Sequence, residues 1–213
     1  MTREPLPFAL SALLLLPALA LGGWAVITVE DLPDYVVVDK PLTLTFTVRQ
    51  HGRTPLSGLS PRVEATSARL EAKAAAVAGG KTGQYQATLT LPQAGNWQIT
   101  IHSGFHDSKT TLLPLPAVAV GSQPALALSE PERGARLFLA KGCVTCHVGS
   151  EPVGPDLSGK RFDPDFLRRF LADPSILPAA PGTTLGMPNL NLKPAEIAAL
   201  VAYLNTERQA QAR

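Results

Sequence analysis

Both cysteines of the 213-residue chain lie in one short segment, Cys143-Val144-Thr145-Cys146-His147. Two thiols separated by two residues, with an imidazole directly after them, are compatible with three chemistries. These are a redox dithiol, one half of a zinc site and the attachment of a c-type haem. Each chemistry demands different residues elsewhere in the chain. The flanking elements and the remaining histidines and methionines therefore decide among them.

The surroundings of the segment fit the first two chemistries poorly. A redox dithiol of this spacing is typical of a β-α-β neighbourhood, whereas here a helical pattern precedes the thiols and a Gly/Pro-rich loop follows them. A zinc site needs four ligands, usually from a second Cys/His pair. The other histidines, His51, His102 and His106, all belong to the first half of the chain. A zinc site would therefore have to be built across a linker.

Attachment of haem accounts for the whole segment. Cys143 and Cys146 are spaced to add to the two vinyl groups of one porphyrin edge, which leaves His147 to ligate the iron. Apart from the initiator, Met187 is the only methionine, and it lies in a Gly/Pro-rich loop outside any periodic apolar stripe. The sequence therefore predicts one covalent haem c with His147 and Met187 as axial iron ligands. Such a closed site suits one-electron transfer and indicates an electron-transfer protein rather than an enzyme.

Three helices are predicted around this site. Ser129 and Glu132 form a capping box that starts a helix over 130–141. Two Asp-Pro pairs begin and end a second helix over 163–173. A third helix opens at Pro194, and the i, i+3, i+4, i+7 spacing of a buried face is followed by Ile197, Leu200, Val201 and Leu204. Three short helices have only a small apolar core of their own, and a large buried cofactor would supply much of what is missing.

Further motifs accompany the Cys-x-x-Cys-His segment on the first and last of these helices. Gly134 and Phe138 form a Gly-x-x-x-Phe face, and Leu200 and Tyr203 form a Leu-x-x-Tyr face. With these motifs in this order, residues 129–213 resemble a small class I cytochrome c domain. The resemblance implies an all-α fold in which the two helices cross at these faces.

The same resemblance implies roles for two loops. The sequence GPDL over 154–157 is similar to the loop in which a proline carbonyl, here that of Pro155, accepts a hydrogen bond from the axial histidine's free ring N–H. Met187-Pro188 is similar to the distal methionine loop, with Leu185-Gly186 as extra residues before it. Lys193 stands where the last helix of the family often has a Ser or Thr cap. Candidates to line the haem pocket are Phe138, Leu157, Phe166, Phe170 and Tyr203.

The first half of the chain has a different period. Apolar and polar residues alternate strictly over 42–50, 83–92 and 95–102, which predicts strands with one buried face. The turn residues Pro92-Gln93-Ala94-Gly95 predict a hairpin between the last two strands. Residues 64–83 are expected to form a strand that runs into a loose connection.

These strands, with a further one over 24–29, predict a small β-sandwich. The pattern from Gly83 to Ile101 resembles the YtkA-like family of exported immunoglobulin-like domains, which implies a domain over 24–113. A Pro/Ala-rich linker is expected over 114–128. The chain is therefore expected to be multidomain, with an all-β immunoglobulin-like sandwich followed by an all-α cytochrome c domain over 129–213.

The N-terminal segment indicates export. Residues 8–27 form an uncharged run that is long enough to span a bilayer. However, Pro17 interrupts the run, and Ala18-Leu19-Ala20 has the small-x-small form of a signal-peptidase site. The sequence favours a cleaved signal over 1–23, with a membrane anchor as the alternative. In both cases the remainder is expected in the periplasm or on the outer face of the cytoplasmic membrane.

Charge and motifs together define the functional hypothesis. The net charge of +2 includes no basic excess of the kind typical of nucleic-acid-binding proteins. We expect an exported electron carrier between redox partner proteins of the membrane respiratory complexes, with the sandwich as a spacer or docking module. Two alternatives stay open. A displaceable Met187 would give a haem-based gas or redox sensor, and His51, His102 and His106 would make the sandwich a copper carrier.

Overall fold

The computed structural model describes residues 23–125, 127–149, 152–177 and 186–206. Its β-rich part precedes its helical part, as the sequence predicted. All but the last residue of the predicted export segment, 1–23, lies outside the described residues, and so does Leu185 of the predicted distal loop. Among the helices that are described, none is both long and apolar enough to cross a membrane.

Two sheets form the first part of the molecule. One has the strand order β1-β3-β8-β7 with β4 beside β3, and the other has the order β2-β11-β9-β5-β6 with β10 also beside β9. The strands within the described residues are β1 (Ala25–Val29), β2 (Val36–Val37), β3 (Pro41–Gln50), β4 (Thr54–Pro55), β5 (Arg62–Ser67), β6 (Leu70–Ala75), β7 (Val77–Ala78), β8 (Gln84–Thr90), β9 (Gly95–His102), β10 (Lys109–Thr111) and β11 (Leu115–Val118).

The apolar faces of the two sheets share one core. Leu44 and Phe46 of β3 and Trp97 and Ile99 of β9 are completely buried, while the alternate residues of the same strands are exposed or partly exposed, apart from the buried Thr47. The predicted alternation is therefore confirmed for these strands. Each strand buries one face because the side-chain period of a strand is two.

The prediction of a hairpin between the strands over 83–92 and 95–102 is wrong. β8 pairs with β3 and β7, whereas β9 pairs with β5, β10 and β11 in the other sheet. The turn after Leu91 instead leads the chain from one sheet to the other, and the indole of Trp97 donates a hydrogen bond to the Gln93 carbonyl at this corner (2.9 Å). Alternation identifies the buried face of a strand but not its partner, and two strands that face each other across a core have the same pattern as a hairpin.

Two further stretches are more regular than the sequence predicted. Residues 64–83 were expected to contain one strand and a loose connection, but β5 and β6 form an antiparallel hairpin there, followed by β7. The predicted linker over 114–128 contains β11, which lies between β2 and β9. Leu115 and Ala117 of β11 are buried in the sandwich core. This strand was not predicted because the segment is rich in proline and only four residues alternate.

The second part contains four α-helices and one short 3₁₀ turn within the described residues. They are α1 (Glu130–Ala140), α2 (Cys143–His147), α3 (Pro164–Ala172), the 3₁₀ turn (Pro174–Ile176) and α4 (Pro194–Leu204). Glu132 accepts hydrogen bonds from the backbone N–H and the hydroxyl of Ser129 at 3.0 and 2.6 Å, which confirms the predicted start of α1. Glu196 similarly accepts from the backbone N–H of Lys193 (2.9 Å), so α4 is capped although Lys193 has no capping hydroxyl.

The crossing of α1 and α4 depends on a glycine. A Cβ atom at Gly134 would lie 2.0 Å from the carbonyl oxygen of Ala199 and 2.6 Å from the Cβ of Tyr203. One turn further along, the rings of Phe138 and Tyr203 meet with their centroids 5.5 Å apart. The two helices therefore pack at the faces that the sequence motifs predicted.

Candidate functional site

The thiols and the imidazole lie together on α2, a helix of five residues. α1 ends just before it, where Gly142 adopts a φ of 76° that lets the chain reverse direction. Cys143 and Cys146 are three residues apart and therefore lie on the same side of α2. Both are free thiols in the structure.

The environment of the thiols argues against a redox dithiol. Burial raises the pKa of the Cys143 thiol to about 12 and also raises the pKa of the Cys146 thiol. Thiol–disulfide exchange requires the thiolate, and the cysteines that perform it usually have a lowered pKa. At neutral pH these two thiols are therefore protonated and weakly reactive toward disulfides.

The imidazole of His147 is held by the predicted proline carbonyl. Its Nδ1 lies 2.9 Å from the carbonyl oxygen of Pro155. A carbonyl can only accept a hydrogen bond, so Nδ1 must be the protonated nitrogen and Nε2 retains the lone pair. This tautomer is the one that can present Nε2 to a metal ion, and the Nδ1 hydrogen bond fixes the orientation of the ring.

Gly154 allows the loop to approach this imidazole. Its N–H donates to the carbonyl of Cys146 (2.7 Å), and a Cβ atom at this position would lie 2.7 Å from Cε1 and 2.9 Å from Nδ1 of His147. Leu157 closes the loop by donating its N–H to the carbonyl of His147 (3.4 Å). The GPDL motif predicted this loop but not the steric role of Gly154. The only indication of that role in the sequence is that a glycine stands directly before Pro155.

A small apolar cluster surrounds α2. Its buried members come from α1, α3 and α4, and the residues packed against it with part of their surface exposed are Cys143, Val144, Leu157, Phe162, Met187, Leu192 and Tyr203. Of the predicted pocket residues, Phe138 is buried in this cluster, and Leu157 and Tyr203 pack against it. Phe166 and Phe170 instead stack on each other, with ring centroids 6.0 Å apart. Phe162 is a member that the sequence analysis missed.

These residues fit a covalent haem. The donor set combines two thiols on one side of a helix, an imidazole with a free Nε2 lone pair and a thioether beside the same apolar cluster. The space that a Cβ of Gly154 would fill is occupied by the imidazole, so the loop is shaped around a fixed His147 ring. A fixed imidazole of one tautomer is the property that ligation of iron requires.

The three histidines of the sandwich have other contacts. His102 lies between Arg62 and Glu64, with its Nδ1 3.2 Å from the guanidinium and its Nε2 3.3 Å from the carboxylate. His51 packs against Trp24 and His106 against Phe105, with centroids 5.5 and 4.5 Å apart. Among the described residues, no group of three or more His, Cys, Asp or Glu side chains is arranged to hold a metal ion. The structure thus adds no support to the copper hypothesis.

The fold and the site together define a cytochrome c domain preceded by a separate β-sandwich domain. Residues 129–204 match the family model described as cytochrome C oxidase, cbb3-type, subunit III, and residues 26–102 match the YtkA-like model. The chain therefore contains a YtkA-like domain followed by a cbb3-type cytochrome c domain, in the predicted order. The match of residues 129–204 supports a c-type cytochrome domain, for which haem is the implied cofactor.

Solved structures that are similar to the chain cover less than half of it and are distant in sequence. Domains 4 and 5 of the S-layer protein SbsC align over 44% of this chain and 51% of that chain, with 20% identity and a TM-score of 0.33. A CARDB domain from Pyrococcus furiosus, solved in complex with di-metal ions, aligns over 44% of this chain and 87% of that chain, with 15% identity and a TM-score of 0.27. The chain thus spans about half, 51%, of the SbsC fragment. TM-scores under 0.5 give these likenesses no weight here, and no curated protein matches the chain.

Proposed function

We propose that the protein is an exported c-type cytochrome that transfers single electrons through one covalently attached haem c. Cys143 and Cys146 would attach the haem through thioethers, and His147 and Met187 would ligate its iron. The observation that carries the proposal is the hydrogen bond from His147 to the Pro155 carbonyl, made possible by the absence of a side chain at Gly154.

The haem and the residues around it have separate roles in electron transfer. Bound haem supplies an iron that accepts and releases one electron. The Pro155 carbonyl keeps the proton of His147 on Nδ1, and this second contact orients Nε2 and increases its basicity. Met187 packs against the apolar cluster with its thioether, a soft ligand that favours the ferrous state and raises the reduction potential. With haem bound, the apolar cluster would limit the access of water to the site, and the site would then change little between oxidation states.

The partners of such a carrier are redox proteins of the membrane respiratory chain. The match of residues 129–204 to a cbb3-type oxidase subunit family supports this assignment. We assign the protein to the periplasm or the outer face of the cytoplasmic membrane, because haem attachment to c-type cytochromes occurs on the export side. The segment 1–23 serves as the export signal or as an anchor.

Intact mass and the pyridine haemochrome spectrum of the protein, purified separately from soluble and membrane fractions, test the proposal. We expect the mass of one haem in addition to that of the chain, and the spectrum of a haem with two thioether bonds. The mass also shows whether residues 1–23 have been removed. A mass without covalent haem, from cells that mature other c-type cytochromes, would overturn the assignment.

Replacement of Met187 separates an electron carrier from a sensor. The oxidised wild-type protein should have the near-infrared band of iron–methionine ligation and should not bind carbon monoxide when reduced. Met187→Ala should lose the band, bind carbon monoxide readily and have a lower reduction potential. A wild-type protein that already binds carbon monoxide would favour the sensor.

A further inference from the structure

The corner between α1 and α2 lies against the first strand of the sandwich. Lys141, at the end of α1, is only 4% exposed. Its ammonium donates to the backbone carbonyl of Glu30 just after β1 (2.7 Å) and forms an ion pair with Glu196 of α4 (2.8 Å). One buried cation therefore joins the sandwich, α1 and α4 at a single point.

The next residue makes a closer contact with the same strand. A Cβ atom at Gly142 would lie 2.4 Å from Cγ1 of Val26 and 2.8 Å from the carbonyl oxygen of Ile27. The hydroxyl of Thr28 donates to the carbonyl of Lys141 (3.4 Å). Ala140 is fully buried and belongs to the core of the sandwich rather than to the helical cluster. The three consecutive residues before Cys143 are thus packed on the sandwich, and Lys141 and Gly142 contact β1.

Two arginines of α1 extend this contact. The guanidinium of Arg133 forms a two-pronged ion pair with the Asp34 carboxylate, at 3.2 and 2.6 Å. Arg136 is 9% exposed and donates to the backbone carbonyls of Asp34 (3.2 Å) and Pro114 (2.5 Å). At the start of α4, Lys193 pairs with Asp31, and both side chains are largely exposed. The interface therefore has a buried centre at Lys141 and an exposed rim at Lys193.

We propose that the sandwich positions the haem-attachment helix, with Lys141 and Gly142 as the positioning residues. These are the last two residues before Cys143. The contacts that hold them in place therefore also fix the start of α2 and the direction in which the thiols and His147 point. The inference rests on the proposed function, because it assigns the haem to α2. It also replaces the expectation that the sandwich is a spacer or docking module joined through a Pro/Ala-rich linker, since two bodies joined by buried polar contacts unfold together.

Two optical probes follow the two bodies separately in the full-length holoprotein. Trp24 and Trp97 are the only tryptophans and both lie in the sandwich part, whereas haem absorption follows the helical part. In the wild-type protein we expect the two denaturant unfolding curves to coincide. The double variant Lys141→Met, Glu196→Gln removes the buried ion pair without leaving either charge unpaired. Its haem curve should move to a lower denaturant concentration and separate from the tryptophan curve.

The rim of the interface provides a matched control. Lys193→Met, Asp31→Asn makes similar changes of charge and size where the side chains are 62% and 73% exposed, and should leave the two curves together. Thr28→Val, a milder change at the buried centre, should cause a smaller separation in the same direction. It keeps the test decisive if the Lys141 variant does not fold.

The reduction potential distinguishes positioning from stability alone. Measured where all variants are folded, the potential of the Lys141→Met, Glu196→Gln protein should be lower than that of the wild type, because water reaching a loosened site stabilises ferric iron. The Lys193→Met, Asp31→Asn control should keep the wild-type potential. Separate curves in the wild-type holoprotein, or coincident curves and an unchanged potential in the Lys141 variant, would overturn the inference while the function stands. A chain without covalent haem would instead refute the proposed function.

Discussion

The sandwich and the cytochrome domain differ in how completely their own side chains fill their cores. Among the described residues, the twelve largest side chains that are less than 2% exposed include eleven from the sandwich, and only Leu200 comes from the helices. Cys143 and Val144 of α2, and Met187 in the loop before α4, keep part of their surface exposed. The sandwich is therefore closed by protein alone, whereas the helical domain is shaped for a group that would complete it.

Loss of the attachment thiols should have the largest effect. In Cys143→Ala, Cys146→Ala we expect no covalent haem and the loss of most of the helical circular dichroism signal, because the small apolar cluster cannot stabilise the helices alone. Without denaturant the fluorescence of Trp97 should stay native, but its unfolding midpoint should fall, because the sandwich loses its contacts with the folded helices. Thr145→Ala, an exposed change between the thiols, should leave haem attachment intact. Full helix content without haem would show that the helical core is sufficient by itself.

A cavity in the sandwich should cost about 4 kcal/mol of unfolding free energy, the usual range for a buried leucine. Leu44 is fully buried on β3, so Leu44→Ala leaves a hole in a core that no cofactor can fill. Chemical denaturation followed by tryptophan fluorescence measures the loss. The reduction potential at low denaturant should stay at the wild-type value, since Leu44 belongs to the core of the other domain. A changed potential would mean that the sandwich core and the site are not separable.

A methyl group at the helix crossing should cost about 3 kcal/mol, because it overpacks a contact that cannot relax without separating α1 from α4. In Gly134→Ala the added Cβ would lie 2.0 Å from the Ala199 carbonyl oxygen. Alanine is the better helix former by about 1 kcal/mol, so a net loss must come from the crossing. Gly80→Ala, in a bend of the sandwich where nothing lies within 4 Å of an added Cβ, is the control for a methyl group added without a close contact. Equal stabilities for the two variants would contradict the close packing.

The sequence predicted what depends on local pattern and missed what depends on distant partners. The caps of α1 and α3 follow from residues close together in the chain, whereas the crossing of α1 and α4 and the carbonyl of Pro155 beside His147 were implied by the resemblance to a class I cytochrome c domain. Neither the strand partners of β8 and of β9 nor the contact between Lys141 and Thr28 could be predicted. Alternation and composition carry no information about which distant residues meet, and Lys141 and Thr28 are 113 residues apart. The strand β11 was missed for a third reason, which is that four residues are too few to show a period.

The smallest expected effect concerns the loop that holds the imidazole. Gly154→Ala would place a methyl group 2.9 Å from Nδ1 of His147 and push the Pro155 carbonyl away from it. A weaker hydrogen bond makes the imidazole less basic, so it stabilises ferric iron less and the reduction potential rises. A tenfold change in the one-electron equilibrium corresponds to roughly 60 mV, which is the shift we expect. Potentiometric titration measures it, with the exposed neighbour change Val153→Ala as the control. An unchanged potential would mean that Pro155 orients the ring without tuning the iron, and a lower potential would contradict the expected sign. In either case the contrast between the sandwich and the cytochrome domain would rest on packing alone.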